Sequence, residues 1–130
     1  MGASGAGKTS LLNILSDRIS TGRNARIKGK ILINDSIELK GAAFGALASY
    51  VMQDDILFKV FTPREALTFA ARLKLTSMTE PEQDKRVNEL LTDLNLNSVA
   101  DQFIGGGKIQ AISKSETKRT AIGVELITDP

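Results

Sequence analysis

The run Gly2-Ala3-Ser4-Gly5-Ala6-Gly7-Lys8-Thr9 has the residue types and spacing of a Walker A phosphate loop, Gly-x-x-x-x-Gly-Lys-Thr. Glycines let the backbone curl into a nest whose N–H groups converge on phosphate oxygens. A helix that begins where the nest ends adds its first N–H groups and its dipole. A lysine at position 8 can reach β- and γ-phosphates, and the Thr9 hydroxyl can ligate Mg2+. Gly2, Ser4, Gly5, Ala6, Gly7, Lys8, Thr9 and Ser10 are therefore candidate phosphate ligands. Lys8 is also a candidate catalytic group, and Thr9 a candidate metal ligand. The loop by itself does not say which base is bound or which phosphate-loop family this is.

Such a loop needs elements to hold it. From Lys8 the apolar spacing of Leu11, Leu12, Ile14 and Leu15 predicts a helix running to about Ile19. Ser20 to Asn24 reads as a loop. Lys28 to Asn34 reads as a strand, Asn34-Asp35-Ser36 as a turn, and Ile37 to Leu39 as a short return strand. Ala46 to Met52 predicts a mostly buried strand that ends at Gln53-Asp54-Asp55. Thr62-Pro63-Arg64-Glu65 is a helix start, with a capping Thr, Pro in the first turn and a Glu that completes the box. A further helix is expected from near Pro81, carrying Val87, Leu90, Leu91 and Leu94. Ile104 to Lys108 reads as a flexible glycine loop. Ser113-Lys114-Ser115-Glu116 is another capping box, ahead of a helix over Thr117 to Thr128. No internal repeat or dividing linker is apparent, so the 130 residues suit one domain or part of a larger one.

Composition removes several kinds of chemistry. Apolar residues are 42% and charged residues 25%, an ordinary globular mixture. Cysteine and histidine are absent, which excludes disulfides, thiol or imidazole metal sites and a Ser-His triad. A net charge of +2, no Trp and few aromatics predict no nucleic-acid partner. No apolar run approaches the roughly 20 residues that cross a bilayer, and no signal sequence opens the chain. A soluble cytosolic segment is expected, with any membrane role carried by a partner or another segment.

Downstream residues carry a resemblance. Tyr50 to Phe58, containing Gln53-Asp54-Asp55-Ile56-Leu57-Phe58, is similar to the Q-loop region of an ATP-binding cassette (ABC) domain. Thr62 to Leu67 and Ala70 to Leu73 resemble the family's next segment after the Q-loop, and Lys118-Arg119 with Ile122 to Pro130 resemble the segment after the signature motif. Gln-Asp-Asp-Ile-Leu-Phe and Gly-Val-Glu-Leu-Ile-Thr-Asp-Pro together resemble the G (White) subfamily. The resemblance spans essentially the whole chain, from Walker A to just after the signature. It implies an α/β fold of the P-loop NTPase type, with an antiparallel β element from Lys28 to Leu39 and a helical subdomain from about Thr62 to Lys118. It implies ATP and Mg2+ as cofactors. Gln53 would contact Mg2+ or the attacking water, serving as a catalytic, cofactor and metal-contacting residue, and its loop would pass movement to the transmembrane domain. Without the resemblance, Gln53 would be a polar residue at a strand end. Asp54 and Asp55 read as a solvated loop, because adjacent carboxylates on an extended backbone point different ways.

The sequence departs from the family pattern at the signature. Ser-Gly-Gly-Glu is expected, and Ser113-Lys114-Ser115-Glu116 stands there. Glycine permits close backbone approach, whereas Lys114 adds a bulky flexible cation. Ser113 remains a candidate ATP contact, or simply a cap. The expectation is a degenerate signature. A Walker B strand ending Asp-Glu is also expected beyond Asp129-Pro130, since Ile31 to Asp35 comes too early and Val124 to Asp129 carries helical signals. The strand that feeds the phosphate loop would lie before Gly2. The fold is thus expected to be incomplete, a partial ATP-binding domain over 1–130, inactive and unstable alone. Lys118 and Arg119 are expected on a solvated helix face rather than against a phosphate or lipid headgroup.

The function the resemblance implies is ATP binding and hydrolysis that drives a lipophilic substrate across a membrane, with this domain on the cytosolic face. The partners implied are a second half-transporter chain, identical or related, and the transmembrane domain of the same parent. The alternative is a nucleotide-binding or assembly module without hydrolysis. A small kinase or GTPase would not explain the Q-loop and post-signature segments together.

Overall fold

The computed structural model describes residues 1–19, 27–38, 44, 47–105 and 111–129. The expected loop over Ser20 to Asn24, together with Leu39, Ala46, Gly106 to Lys108 and Pro130, lies outside the described residues. The chain forms two units, Met1–Tyr50 and Val51–Asp129.

The first unit opens with helix α1, Lys8–Leu15. The helix is shorter than the apolar spacing suggests, and its end has a specific cause. Asp17 turns left-handed at φ 52°, so the Arg18 N–H reaches the Asn13 carbonyl at 2.9 Å and the Asp17 N–H reaches Ile14 at 3.2 Å. These two bonds satisfy carbonyls of the last turn and stop the helix. Strands β1 (Leu32–Ile33) and β2 (Ile37–Glu38) form an antiparallel ladder that pairs Leu32 with Glu38 and Ile33 with Ile37. Asn34 and Asp35 both hold positive φ, and Ser36 N–H closes on the Ile33 carbonyl at 3.1 Å. Short polar side chains tolerate that backbone, which matches the twist of the strands it joins.

The strand expected over Ala46 to Met52 is not formed. Leu47 is helical and residues 48–52 have no regular structure. An extended run becomes a strand only when a neighbour pairs with it, and the one ladder among the described residues is β1–β2. A mostly parallel sheet is likewise not seen among them.

The second unit is helical. It contains α2 (Pro63–Lys74), α3 (Glu80–Asp93), a single 3-10 turn (Asn97–Val99) and α4 (Lys114–Leu126). Each α-helix starts with a capping box: Thr62 with Glu65, Thr79 with Glu82, and Ser113 with Glu116. In each box the Glu carboxylate accepts from the cap N–H, and at Thr62 and Ser113 the hydroxyl also accepts from a first-turn N–H that would otherwise have no partner. Helix α2 buries Ala66, Leu67, Ala70 and Ala71, a stripe at helical spacing. That stripe meets Val87, Leu90 and Leu91 of α3, with Leu75, Leu96, Ala100 and Ile127 closing the core. A smaller cluster of Ala66, Ile104 and Ile112 lies beside it.

Buried Gln83 shows how the turn after α2 is held. Its amide donates to the carbonyls of Leu75 at 2.8 Å and Met78 at 3.2 Å, and its oxygen accepts from the Arg72 guanidinium. A buried amide so paired costs little. The other end of α4 is held by cations, which suit a helix C-terminus. Lys74 donates to the Val124 carbonyl at 3.0 Å, and Arg86 to the Leu126 carbonyl at 3.0 Å.

Helix α4 approaches its neighbours at a glycine. A Cβ on Gly123 would lie 2.8 Å from Leu67 Cδ2 and 2.8 Å from Leu94 Cδ1. Gly123→Ala gains up to about 1 kcal/mol in helix propensity but overpacks the core at a cost of about 1–3 kcal/mol. A net loss of about 1 kcal/mol is expected as a lower urea midpoint; an unchanged or higher midpoint would show that the two leucines give way.

The capping boxes also predict a pH dependence. The Glu82 carboxyl is held below its ordinary value of 4.5 by the Thr79 hydroxyl and then by the Thr79 N–H. A group whose folded value is depressed contributes stability above its unfolded value and loses it as the pH falls through the folded value. Full contribution is therefore expected above about pH 4.5. Glu82→Gln should lower the urea midpoint near neutrality and flatten its decline below that pH, whereas profiles parallel to wild type would contradict the assignment.

Candidate functional site

The phosphate loop and the start of α1 are exposed. Gly5 and Gly7 have φ of 80° and 81°, and a Cβ at either would meet nothing within 4 Å. Backbone conformation, not crowding, is what demands glycine at both positions. The Ala6 N–H closes the turn on the Ala3 carbonyl at 3.2 Å. Gly7 stands at the cap position of α1 and offers no side chain to its first N–H groups, and no acid lies in the first turn. The end of α1 that carries partial positive charge is thus left uncompensated by the chain.

Lys8 folds back over the loop. Its ammonium donates to the carbonyls of Gly2 at 2.8 Å and Ala3 at 2.6 Å. An ammonium has three donors, so these bonds hold the charge over the nest and leave capacity for an anion. The Thr9 and Ser10 side chains are exposed on the first turn of α1, and Ser4 and Ala6 lie on the loop. Further along the helix, Asn13 Oδ1 accepts from the Tyr50 hydroxyl at 2.9 Å, and the Arg18 guanidinium lies 4.7 Å from the centre of the Tyr50 ring. Tyr50 therefore fastens the helix by the end away from the loop.

Gln53 lies in the second unit, on an exposed bend. Its side chain is exposed, but its backbone is held by Lys118. The Lys118 ammonium donates to the carbonyls of Met52 at 2.8 Å and Gln53 at 3.0 Å, and to Asp55 Oδ1 at 2.8 Å. Lys118 is therefore not a solvated cation on a helix face, as its place on a polar helix suggests. Asp55 is likewise not a freely solvated carboxylate, whereas Asp54 is exposed. The sequence signal for this clamp is slight: a Lys five positions after a capping Ser, with its partners more than 60 residues away.

Ser113 caps α4. Its hydroxyl accepts from the Glu116 N–H at 3.3 Å, donates to Glu116 Oε2 at 2.6 Å, and lies 3.0 Å from the Ser115 hydroxyl. The Glu116 carboxyl also accepts from the Ser113 N–H at 2.7 Å. The Ser113 hydroxyl and then its N–H hold Glu116 below the usual carboxylate range, with a smaller contribution from the charge of Arg119. Lys114 is exposed beside this cap.

The residues fit a nucleotide phosphate: a glycine nest, an open helix start and a lysine poised over both. Among the described residues, no three acidic, His or Cys side chains gather as a metal site. A hard cation would be held here by hydroxyl and phosphate oxygens, chemistry that suits Mg2+. No helix among the described residues is long and apolar enough to cross a membrane.

Comparison with known proteins agrees with this geometry. The family model described as ABC transporter matches residues 1–130. The chain is 41% identical over 131 residues to the broad substrate specificity ATP-binding cassette transporter ABCG2 of Mus musculus, covering all of this chain and 19% of that protein. It is 38% identical to ATP-binding cassette sub-family G member 5 of Rattus norvegicus, covering all of this chain and 20% of that protein. It is 46% identical to ABC transporter G family member 24 of Dictyostelium discoideum, covering all of this chain and 11% of that protein. The chain spans a fifth or less of the length of these curated relatives.

Proposed function

This chain belongs to the ABC transporter family, and we propose that it forms part of the ATP-binding domain of a G-type half-transporter, which hydrolyses ATP to move a lipophilic substrate across a membrane. The carrying observation is the start of α1. Three helices among the described residues start with a Ser or Thr bonded to a Glu of the first turn. Helix α1 answers with a left-handed glycine and no acid. An acidic cap would repel a phosphate, and its absence from this helix is what an anion site requires.

In this account Gly2, Ser4, Gly5, Ala6 and Gly7 wrap the β- and γ-phosphates with backbone N–H groups. Lys8 neutralises charge that builds on the γ-phosphoryl oxygens as it is transferred. Thr9 would offer its hydroxyl to Mg2+, and Ser10 would extend the contact at the next position. Gln53 contacts Mg2+ or orients the attacking water, as the family resemblance implies. When bound, Mg2+ would supply neutralisation of phosphate charge.

Ser113 serves the nucleotide of a second half-transporter chain, identical or related. Its hydroxyl is already engaged by Glu116 and Ser115. Ser115 and Lys114 also fill space that glycines would leave open. We assign these two residues the role of slowing hydrolysis. The exposed Ile56, Phe58 and Val60 downstream of Gln53 support contact with the transmembrane domain of the same parent. In this reading the domain lies on the cytosolic face of the membrane.

Two measurements on the intact protein test the reading. Lys8→Met should weaken Mg-ATP binding at least about tenfold, since a charge-assisted contact contributes about 1.5–3 kcal/mol; equal affinity would sink the phosphate assignment. The double substitution Lys114→Gly with Ser115→Gly should raise steady-state ATPase activity, and an unchanged rate would remove the proposed brake.

A further inference from the structure

We propose that Lys118 is a positioning residue for Gln53, fixing the Gln53 loop to the helix that Ser113 caps; this rests on the ATPase reading of Gln53 given above. The geometry is specific. All three donors of the ammonium are used, two on successive backbone carbonyls and one on a carboxylate. Two of the three bonds go to backbone, so the clamp sets the path of the chain at Met52 and Gln53 and leaves the Gln53 side chain free to act. The charged pair is partly shielded, with Asp55 only 21% exposed, so salt screens it less than a surface pair. Among the described residues no other bond fastens residues 52–55 to a helix, and these residues have no ladder of their own.

Lys118 stands five residues after Ser113 on the same helix. Helix α4 is held at its far end by Lys74 and Arg86 and against its neighbours at Gly123. It is therefore a rigid arm, and a shift of its first turns moves the Ser113 cap and the Lys118 ammonium together. The carbonyls of Met52 and Gln53 move with the ammonium. Engagement at Ser113 would thus be felt at Gln53 through one side chain.

The test uses the intact protein and two readouts, the rate of thermolysin cleavage within residues 52–57 without nucleotide and steady-state ATP hydrolysis. Lys118→Met should speed cleavage within 52–57 at least about tenfold and lower kcat about tenfold, with Mg-ATP affinity within about twofold of wild type. Lys118→Arg keeps charge and several donors and should recover part of both. Asp55→Asn leaves the two carbonyl bonds in place. It should move both readouts less and in the same direction, which keeps the test decisive where Lys118→Met unfolds. Wild-type cleavage within 52–57 in Lys118→Met, or faster cleavage with unchanged kcat, overturns the proposal. So does an equal loss of kcat and affinity that tracks a general loss of stability. A wild-type protein that neither binds nor hydrolyses ATP would instead overturn the ATPase reading, and the cleavage result would still decide whether the clamp exists.

Discussion

The first turn of an α-helix leaves four N–H groups without partners inside the helix, and how each helix of this chain answers that requirement organises the rest. Thr62 and Ser113 answer it with their hydroxyls, and Glu65, Glu82 and Glu116 each bring a carboxylate to the start of their helix and bond the cap N–H. Each pair fixes where its helix starts and how the chain enters it. At α1 the same requirement is unmet. Gly7 supplies a left-handed backbone and no side chain, and Lys8 adds positive charge instead of removing it. Because the other helices use Ser, Thr and Glu on their own amides, this helix start alone among the described residues remains open to an outside anion.

The helical unit translates that local chemistry into positions. Its core of alanine and leucine lets α2, α3 and α4 pack closely, with Gly123 as the point of nearest approach. Cations from α2 and α3 hold the C-terminal end of α4. The opposite end of that helix then presents a cap at Ser113 and an ammonium at Lys118. Packing, caps and the Gln53 loop are links of one chain of causes: without the glycine contact and the two cations, Lys118 would have no fixed place from which to hold Met52 and Gln53.

Much of this is legible in the residues. The phosphate loop, the Asn34-Asp35-Ser36 turn and the boxes at Thr62 and Ser113 come from local rules that need no knowledge of distant contacts. The Thr79 box is equally local, as Thr and Glu three apart, but Pro81 is the more conspicuous signal and marks the helix start one residue late. Helix α1 ends early because Asp17 accepts a left-handed backbone, a choice that apolar spacing does not encode. The strand expected over Ala46 to Met52 fails for a different reason: apolar content does not make a strand without a partner to pair with. Lys118 and Asp55 are invisible for a third reason. Each looks like a solvated charge until the fold brings residues 63 apart in sequence together. Family membership comes from motifs in order, and the comparisons support it over the whole chain.

The central claim is that the open start of α1 is built for phosphate. The direct measurement is amide hydrogen exchange across residues 2–10 of the intact protein with Mg-ATP, with adenosine at the same concentration, and with neither. The account predicts strong slowing with Mg-ATP at Gly5, Gly7, Lys8 and Thr9 and none with adenosine, since the contacts are to phosphate. Exchange there that ignores Mg-ATP, while the nucleotide binds and protects residues elsewhere, would contradict it.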